Sequence, residues 1–538
     1  MAQNVSERFK REAASPVKSP EFAVLISWDK EIRQDSGWFE LDTSTLDGDD
    51  TLQGATEIHT LYDKYEYANE SKFVKNFEVS RKVSNYGWGV IMATARITLK
   101  NGSGRFTPGG GSLGDLVRAG RPVKIAVGYN GELMNVFTGF LGAPKLNLVE
   151  NTVEFEAFDT MTYFAGKETD TTFFQNKPIS EVLDSLLREQ GFGVGQYEID
   201  PSLSRKYPFL WTRGRKLTAI FKEVATNETA LIYTDENGVL KFVKNSSLMN
   251  VAPRNWEFNY SNLTDLNISE SNIINMVKVK SSYLREAGIG TVYQMREQDR
   301  GGQWAVENGK TKDFWFEPSH EGGLENLKYV KDANGSFQFY ANAQATGSEI
   351  TTGVTKTFTN FYDSFKLTVK NNSGRMIYLG NAEIYGAIVN EITETPVIVQ
   401  NAPSIEKYGI NPDSSTGMLG EPFEYETTAG RTSTLQWASD MTDFESLRGI
   451  GEAFLDNYAE PNQQYSVSNF MVPHLQVGDT VGVSVESLNK DFNCAILGVT
   501  IKGGVRANFR QELYLQVIPD RRWFTLNISK LDSGDILL

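Results

Sequence analysis

GRPVKIAVGYNGELMNVFTGFLGAP, residues 120–144, decides the fold class. Its first half, RPVKIAVGY, alternates apolar with polar side chains. Asn130-Gly131 follows, between Tyr129 and Glu132, a dipeptide that accepts the positive φ angles of a two-residue hairpin turn. The stretch predicts two antiparallel strands with one buried face. KFVKNFEVSRKV and MATARITLKNG upstream, and NTVEFEAFDTM downstream, repeat the alternation. In the last of these, Val153, Phe155 and Ala157 share one face while Glu154 and Glu156 share the other. GGGSLGDLVRAGRP is the main break, and its Leu113, Leu116 and Val117 predict a single helical turn.

Outward from this β-rich unit, assigned to residues 61–165, the pattern changes. In PISEVLDSLLREQG, Ile179, Val182, Leu183, Leu186 and Leu187 form one helical stripe, with Pro178 at its start and Gly191 just past its end. RKLTAIFKEVATNETA repeats the stripe with Leu217, Ile220, Phe221 and Val224. ALIYTDENGVLKFV then reads as a hairpin turning at Asn237-Gly238. Residues 166–255 are therefore a small α+β unit. Strand signals resume over 256–290 and again over 430–520, and these are read as two halves of one unit. Between them, 291–429 is rich in Gly, Thr, Asn and Ser around short strands such as SFQFYANAQ, which suits an inserted β-sandwich. A helix is expected over DFESLRGIGEAFLDNY, with Leu447, Ile450, Phe454, Leu455 and Tyr458 inward. Residues 1–20 read as an extended, charged arm leading into the strand FAVLISW, and 1–60 as an arm and docking segment. The fold class is mainly β with a small α+β part.

With 538 residues the chain exceeds the usual size of one core. Its 53 Lys and Arg against 68 Asp and Glu give a net charge of −15. That balance argues against a protein that grips nucleic acid, because phosphate binding is driven by cationic side chains. The single cysteine, Cys494, precludes an internal disulfide and sits in the apolar run FNCAIL as a small buried hydrophobe. The polar start MAQNVSERFKREA is not a signal peptide, and FAVLISW is too short to span a bilayer. Synthesis in the cytoplasm is expected.

The residues of known chemistries are missing. His59, His320 and His474 stand alone, so neither a metal centre nor a serine triad is indicated. GGGSLG lacks the Lys and Ser/Thr of a phosphate loop. Acidic pairs such as Asp49-Asp50 read as solvated turns. No catalytic residue, metal or cofactor is assigned, and the chain is not expected to be an enzyme.

One peptide occurs twice. WFELDTSTLDGDDTL (38–52) and WFTLNISKLDSGDIL (523–537) agree at eight positions. Trp38, Phe39, Leu41 and Leu46 in the first, and Trp523, Phe524, Leu526, Leu531 and Leu537 in the second, are candidates for partner docking, each peptide adding a strand to a neighbouring sheet. Packing on their own subunit remains the alternative. Residues 521–538 are read as a C-terminal docking tail. In the insert, Trp304, Trp315 and Tyr340 are candidates for ligand stacking, set against an ordinary role in the sandwich core.

The 120–144 segment resembles one found in bacteriophage tail hub proteins, where a Gly-Arg-Pro-Val strand, a Gly-Tyr turn and a Phe-Thr-Gly strand recur. KYEYANESKFVKNFEVSRKV, LKNGSGRFTP, the helix PISEVLDSLL, and VPHLQVGDTVGVSV (472–485) resemble that family in the same order. WFTLNISKLDSGDILL is similar to the tails of many phage structural proteins. The resemblance implies two tail-tube-like β-barrel domains, 61–165 and 256–290 with 430–520, flanking the small helix-containing domain. It also implies a homotrimer at the virion's tail tip, assembled in the host cytoplasm. Such a hub would continue the tail tube below a tail tube or distal tail protein. It would sit above a tail fibre, spike or tape-measure protein, and genomic DNA would pass through without specific binding. A receptor- or carbohydrate-binding adhesin that uses the sandwich is the alternative reading.

Overall fold

The computed structural model describes residues 3–518 apart from 16–17, 30–61, 63–64, 83–88, 170–172, 213, 249–252, 260–261, 271–274, 281, 319–326, 394–396, 410–421, 427–447, 450, 453–454, 456–458, 460–462, 470, 486–489 and 506–507. It opens with helix α1 (Glu7–Ala14) rather than an extended arm. The Ser6 hydroxyl caps the helix by accepting from the Phe9 N–H, and Phe9 and Ala13, one turn apart, are buried. The Glu132 carboxylate ties the cap down by accepting from the Ser6 N–H and hydroxyl. Charged residues on the remaining positions concealed this short apolar stripe in the sequence. Phe9 is 1% exposed and meets Tyr129 and His474 edge-on at 5.4 and 5.7 Å. Phe9→Ala is expected to cost about 3 kcal/mol. The helix should then become cleavable by protease while the remaining chain stays resistant. An unchanged cleavage pattern would show that the helix is held by other contacts.

Nine strands follow: β1 (Glu21–Ile26), β2 (Ala68–Asn69), β3 (Val74–Lys82), β4 (Gly89–Val90), β5 (Thr94–Lys100), β6 (Pro122–Tyr129), β7 (Glu132–Leu141), β8 (Lys145–Asn147) and β9 (Thr152–Phe158). The β6–β7 hairpin turns at Asn130 and Gly131, both at positive φ (53° and 81°), the conformation that matches strand twist. Leu113 precedes a single 3₁₀ turn, Gly114–Leu116.

The small α+β unit comprises β10 (Phe173–Pro178), α2 (Ile179–Glu189), β11 (Tyr197–Ile199), β12 (Lys206–Trp211), α3 (Leu217–Asn227), β13 (Ala230–Thr234) and β14 (Leu240–Lys244). All nine stripe residues of the two helices are fully buried in one core. The unit is joined to the first strands by β4, which pairs parallel with β13. Its 235–239 turn also lies on β7, where the Thr138 hydroxyl donates to the Glu236 carbonyl at 2.7 Å.

The chain continues through β15 (Trp256–Phe258), β16 (Asp265–Glu270) and β17 (Met276–Lys280) into the insert. There, β18 (Ser282–Gln294), β19 (Ala305–Val306), β21 (Leu327–Tyr340) and β24 (Ile377–Thr393) make a four-stranded sheet. A three-stranded sheet of β20 (Thr311–Phe316), β22 (Val354–Asn360) and β23 (Phe365–Asn371) completes a sandwich around Phe314, Phe316, Phe339, Leu367 and Ile384. On the way back, β25 (Val397–Gln400) and β26 (Pro422–Glu426) pair with β17 instead of joining the sandwich. Of the helix expected over 443–458, Leu455 is helical and buried, while Leu447, Ile450, Phe454 and Tyr458 lie outside the described residues.

The last strands are β27 (Gln463–Asn469), β28 (Thr480–Val485), β29 (Lys490–Gly503) and β30 (Arg510–Val517). They return to the first unit. Residues Gly498–Gly503 of β29 pair antiparallel with Phe77–Lys82 of β3, and 14 strands join in one sheet ordered β16-β27-β30-β29-β3-β5-β9-β7-β6-β1-β2 along its main path. The strands expected to close as two barrels are therefore two halves of a single open sheet, and no closed barrel forms among the described residues. One apolar core runs beneath both halves, from Ile97 and Phe155 to Val467 and Leu513. β16 and β2 form the two margins.

Candidate functional site

Strict alternation on the central strands leaves one face of the main sheet polar across the seam between its halves. On β3, Glu78, Ser80 and Lys82 point outward, while Phe77, Val79 and Arg81 point inward. On β5 the outward residues are Thr94, Arg96 and Thr98; on β9 they are Glu154 and Glu156. Across the seam, Lys502 and Thr500 of β29 continue the face, although Thr500 is largely covered.

Charges on this face are matched strand to strand. Lys502 reaches Glu78 at 2.9 Å, joining two residues of opposite halves. Arg96 lies 3.6 Å from Glu154 and 3.7 Å from Glu156, and Lys145 lies 3.0 Å from Glu156. The carboxyl of Glu156 is held below its ordinary range by its hydrogen bond and charge pairing with Lys145. Lys82 covers the Tyr514 ring, its ammonium 3.7 Å from the centroid. Such exposed pairs contribute little to stability, about 0–1 kcal/mol each. Their effect is on the surface field: Lys502, Arg96 and Lys145 each carry a counter-charge beside them, so a phosphate that approaches them displaces a carboxylate instead of filling a vacant site.

Behind the face, the inward side chain of Arg81 enters a buried polar cluster where all three units meet. Its guanidinium donates to the Gln476 side chain at 3.2 Å. The Gln476 N–H donates to the Asp479 carboxylate at 2.7 Å. Asp159 receives the N–H groups of Ala93 and Met161 at 2.7 and 3.0 Å. Burial nevertheless pushes its carboxyl up to about 7, with Arg81 opposing the shift. Glu236, on the turn between β13 and β14, is also pushed up to about 7 by burial and by Asp235, and Arg81 opposes this as well. Asp479 is raised by burial. Arg81 thus acts on carboxylates of the first strands and the small unit, and reaches the closing strands through Gln476.

The other expected residues are dispersed. Trp38, Phe39, Leu41, Leu46, Trp523, Phe524, Leu526, Leu531 and Leu537 lie outside the described residues, as do His59 and His320. His474 is buried between Phe9 and Trp256, and burial pushes its imidazole down to about 4, so it is a neutral core residue. Cys494 is buried and its thiol is pushed up to about 12 by burial. Trp304 stacks on Phe316 (5.6 Å, 8°) and donates its indole N–H to the Asp299 carbonyl. Trp315 is 57% exposed on β20. Tyr340, half-buried on the four-stranded sheet, donates its hydroxyl to the Gln338 side chain. The structure does not bring these three aromatics together. Among the described residues, no His, Cys, Asp or Glu group has the arrangement to hold a metal ion, and no helix is long and apolar enough to cross a membrane.

No protein-family model matches the sequence, and no curated protein does. Solved structures do. The chain is similar to the 43 kDa tail protein of prophage MuSo2 from Shewanella oneidensis, at a TM-score of 0.43 and 10% identity, covering 92% of this chain and 98% of that one. It is similar to a tail protein from Neisseria meningitidis at a TM-score of 0.44 and 7% identity, covering 92% and 96%. A prophage tail protein, gp18, from Listeria monocytogenes matches at a TM-score of 0.39 and 12% identity, covering 85% and 93%.

Proposed function

We propose that this chain is a structural protein of a bacteriophage tail, the hub at the tail tip, and that it works as a homotrimer around an axial passage for DNA. The observation that carries this reading is the single sheet. Two β halves lie side by side, with a polar, charge-matched face on one side and a common core on the other. Three copies would set six such halves around an axis. The margins support a ring, because among the described residues the outer edges of β16 and the two-residue β2 are unpaired, and open edges recruit further strands. Head-to-tail joining of one margin to the other closes into a ring when the rotation fits.

In this reading the ring continues the tail tube below a distal tail protein and carries a fibre, spike or tape-measure protein beneath. The matched face lines the passage, and the end peptides at 38–52 and 523–537 dock across subunit boundaries. The order of motifs from 120–144 to 472–485 supports the same assignment. Mass measurement under native conditions, followed by imaging of the particles, tests it. Three copies around a hole are expected. A monodisperse monomer at every concentration and ionic strength would sink the reading.

A further inference from the structure

We propose that the outer face of the three-stranded sheet in the inserted sandwich binds an acidic saccharide chain, with Trp315 as its stacking platform. The sequence of β20 places Phe314 and Phe316 in the sandwich core, and alternation then sends Trp315 outward. An indole that is 57% exposed, at a position where alternation calls for a polar side chain, does not fill the sandwich core. The ring is held in place all the same. It stacks on Phe361 at 5.4 Å and 24°, and the Lys366 ammonium lies 5.8 Å from its centroid. A held, exposed ring loses little freedom when a ligand covers it.

The residues around it are those that recognise a sugar. Strand register sets Lys366 and then Thr359 beside Trp315. The next row is Asp313, Thr368 and Thr357, with the Thr368 hydroxyl donating to Asp313 at 2.7 Å. A pyranose offers an apolar C–H face to an aromatic ring and hydroxyls at its edge, and this surface supplies the ring, then hydroxyls, a carboxylate and an ammonium. Charge selects the acidic class. At the outward positions of the three strands the cations Lys366 and, two rows further, Lys370 outnumber the one acid, Asp313, which lies 3.9 Å from Lys366, on a chain whose net charge is −15.

A protein partner would require contiguous apolar area, and this face has one indole among threonines. A single-stranded nucleic acid would require successive platforms along a cationic groove, and this face has one. Trp304 and Tyr340 take no part, being engaged with Phe316 and Gln338. The proposal does not depend on the hub reading.

The test uses the full chain on immobilised polygalacturonate, hyaluronan and poly(glycerol phosphate) bearing sugar substituents, with a neutral N-acetylglucosamine hexamer and single-stranded DNA as further arms. Retention on at least one acidic polymer is expected. W315A should weaken it at least about tenfold, W315F should keep most of it, and K366Q should weaken it and reduce its salt dependence. Circular dichroism confirms that the variants fold. Retention on none of the acidic polymers, retention on DNA alone, equal retention of W315A, or a change in assembly mass in W315A, which would mark the face as a self-contact, each overturns the proposal.

Discussion

Replacing Arg81 by methionine is expected to destabilise the seam between the halves of the sheet by roughly 3 kcal/mol at pH 8, and by clearly less at pH 5.5. The size follows from burial. Arg81 is 3% exposed and is the cation that opposes the raised affinities of Asp159 and Glu236. Without it, the ionised carboxylates of Asp159 and Glu236 are left in a dry interior with their opposing cation gone. The pH dependence follows from linkage. Both carboxyls sit at about 7 in the folded chain, above the ordinary value near 4, so the folded state keeps protons that the unfolded state has released. Their contribution is complete at low pH and is lost as pH rises through 7. The native chain should therefore gain stability between pH 8 and pH 5.5, with a slope of up to about 1.4 kcal/mol per pH unit for each group. Arg81 matters most where both are ionised. Amide exchange at Phe77–Lys82 and Gly498–Gly503, the strand residues paired across the seam, reads the local opening at each pH. Equal destabilisation at both pH values would place the carboxylates beyond the influence of Arg81.

That cluster also marks where sequence reading stops. Local pattern was legible: the hairpin at Asn130-Gly131, both helical stripes and the Asn237-Gly238 turn depend on neighbours a few residues apart, and the structure has them all. Two features were not legible. Helix α1 rests on two apolar residues among charges and gains its stability from Tyr129 and His474, which are remote in the chain. The seam pairs Ser80 with Thr500, 420 positions away, and alternation states which way each side chain points without naming the strand beside it. One signal was present and passed over. In KNFEVSRKV, Arg81 falls on the apolar register of its strand, and a charge in that register predicts a buried partner. The stacking candidates show a related limit. Composition offered three aromatics, and only the backbone separates Trp315, on the outer face, from Trp304, stacked on Phe316.

Removing the carboxylates that face the proposed passage should turn an inert wall into one that holds DNA. In the triple variant Glu78→Gln, Glu154→Gln, Glu156→Gln, the cations Lys502, Arg96 and Lys145 lose their partners. The fold should survive, since exposed pairs contribute about 0–1 kcal/mol each. Phosphate binding should appear in the non-specific range, with Kd of about 10⁻⁴ to 10⁻⁶ M. Each released cation adds about 0.9 to the dependence of log affinity on log salt, so three give a slope of about −2.7. The native chain should show neither binding nor slope with the same duplex. In particles, the variant should assemble in normal numbers yet deliver DNA slowly, because a genome that moves past bound cations must exchange contacts at every step. The two readouts separate two failures. Native protein that binds duplex as tightly as the variant would show that matched charges do not make this face inert. A variant that binds DNA in solution but ejects it at the native rate would place the face away from the passage and leave the charge argument intact.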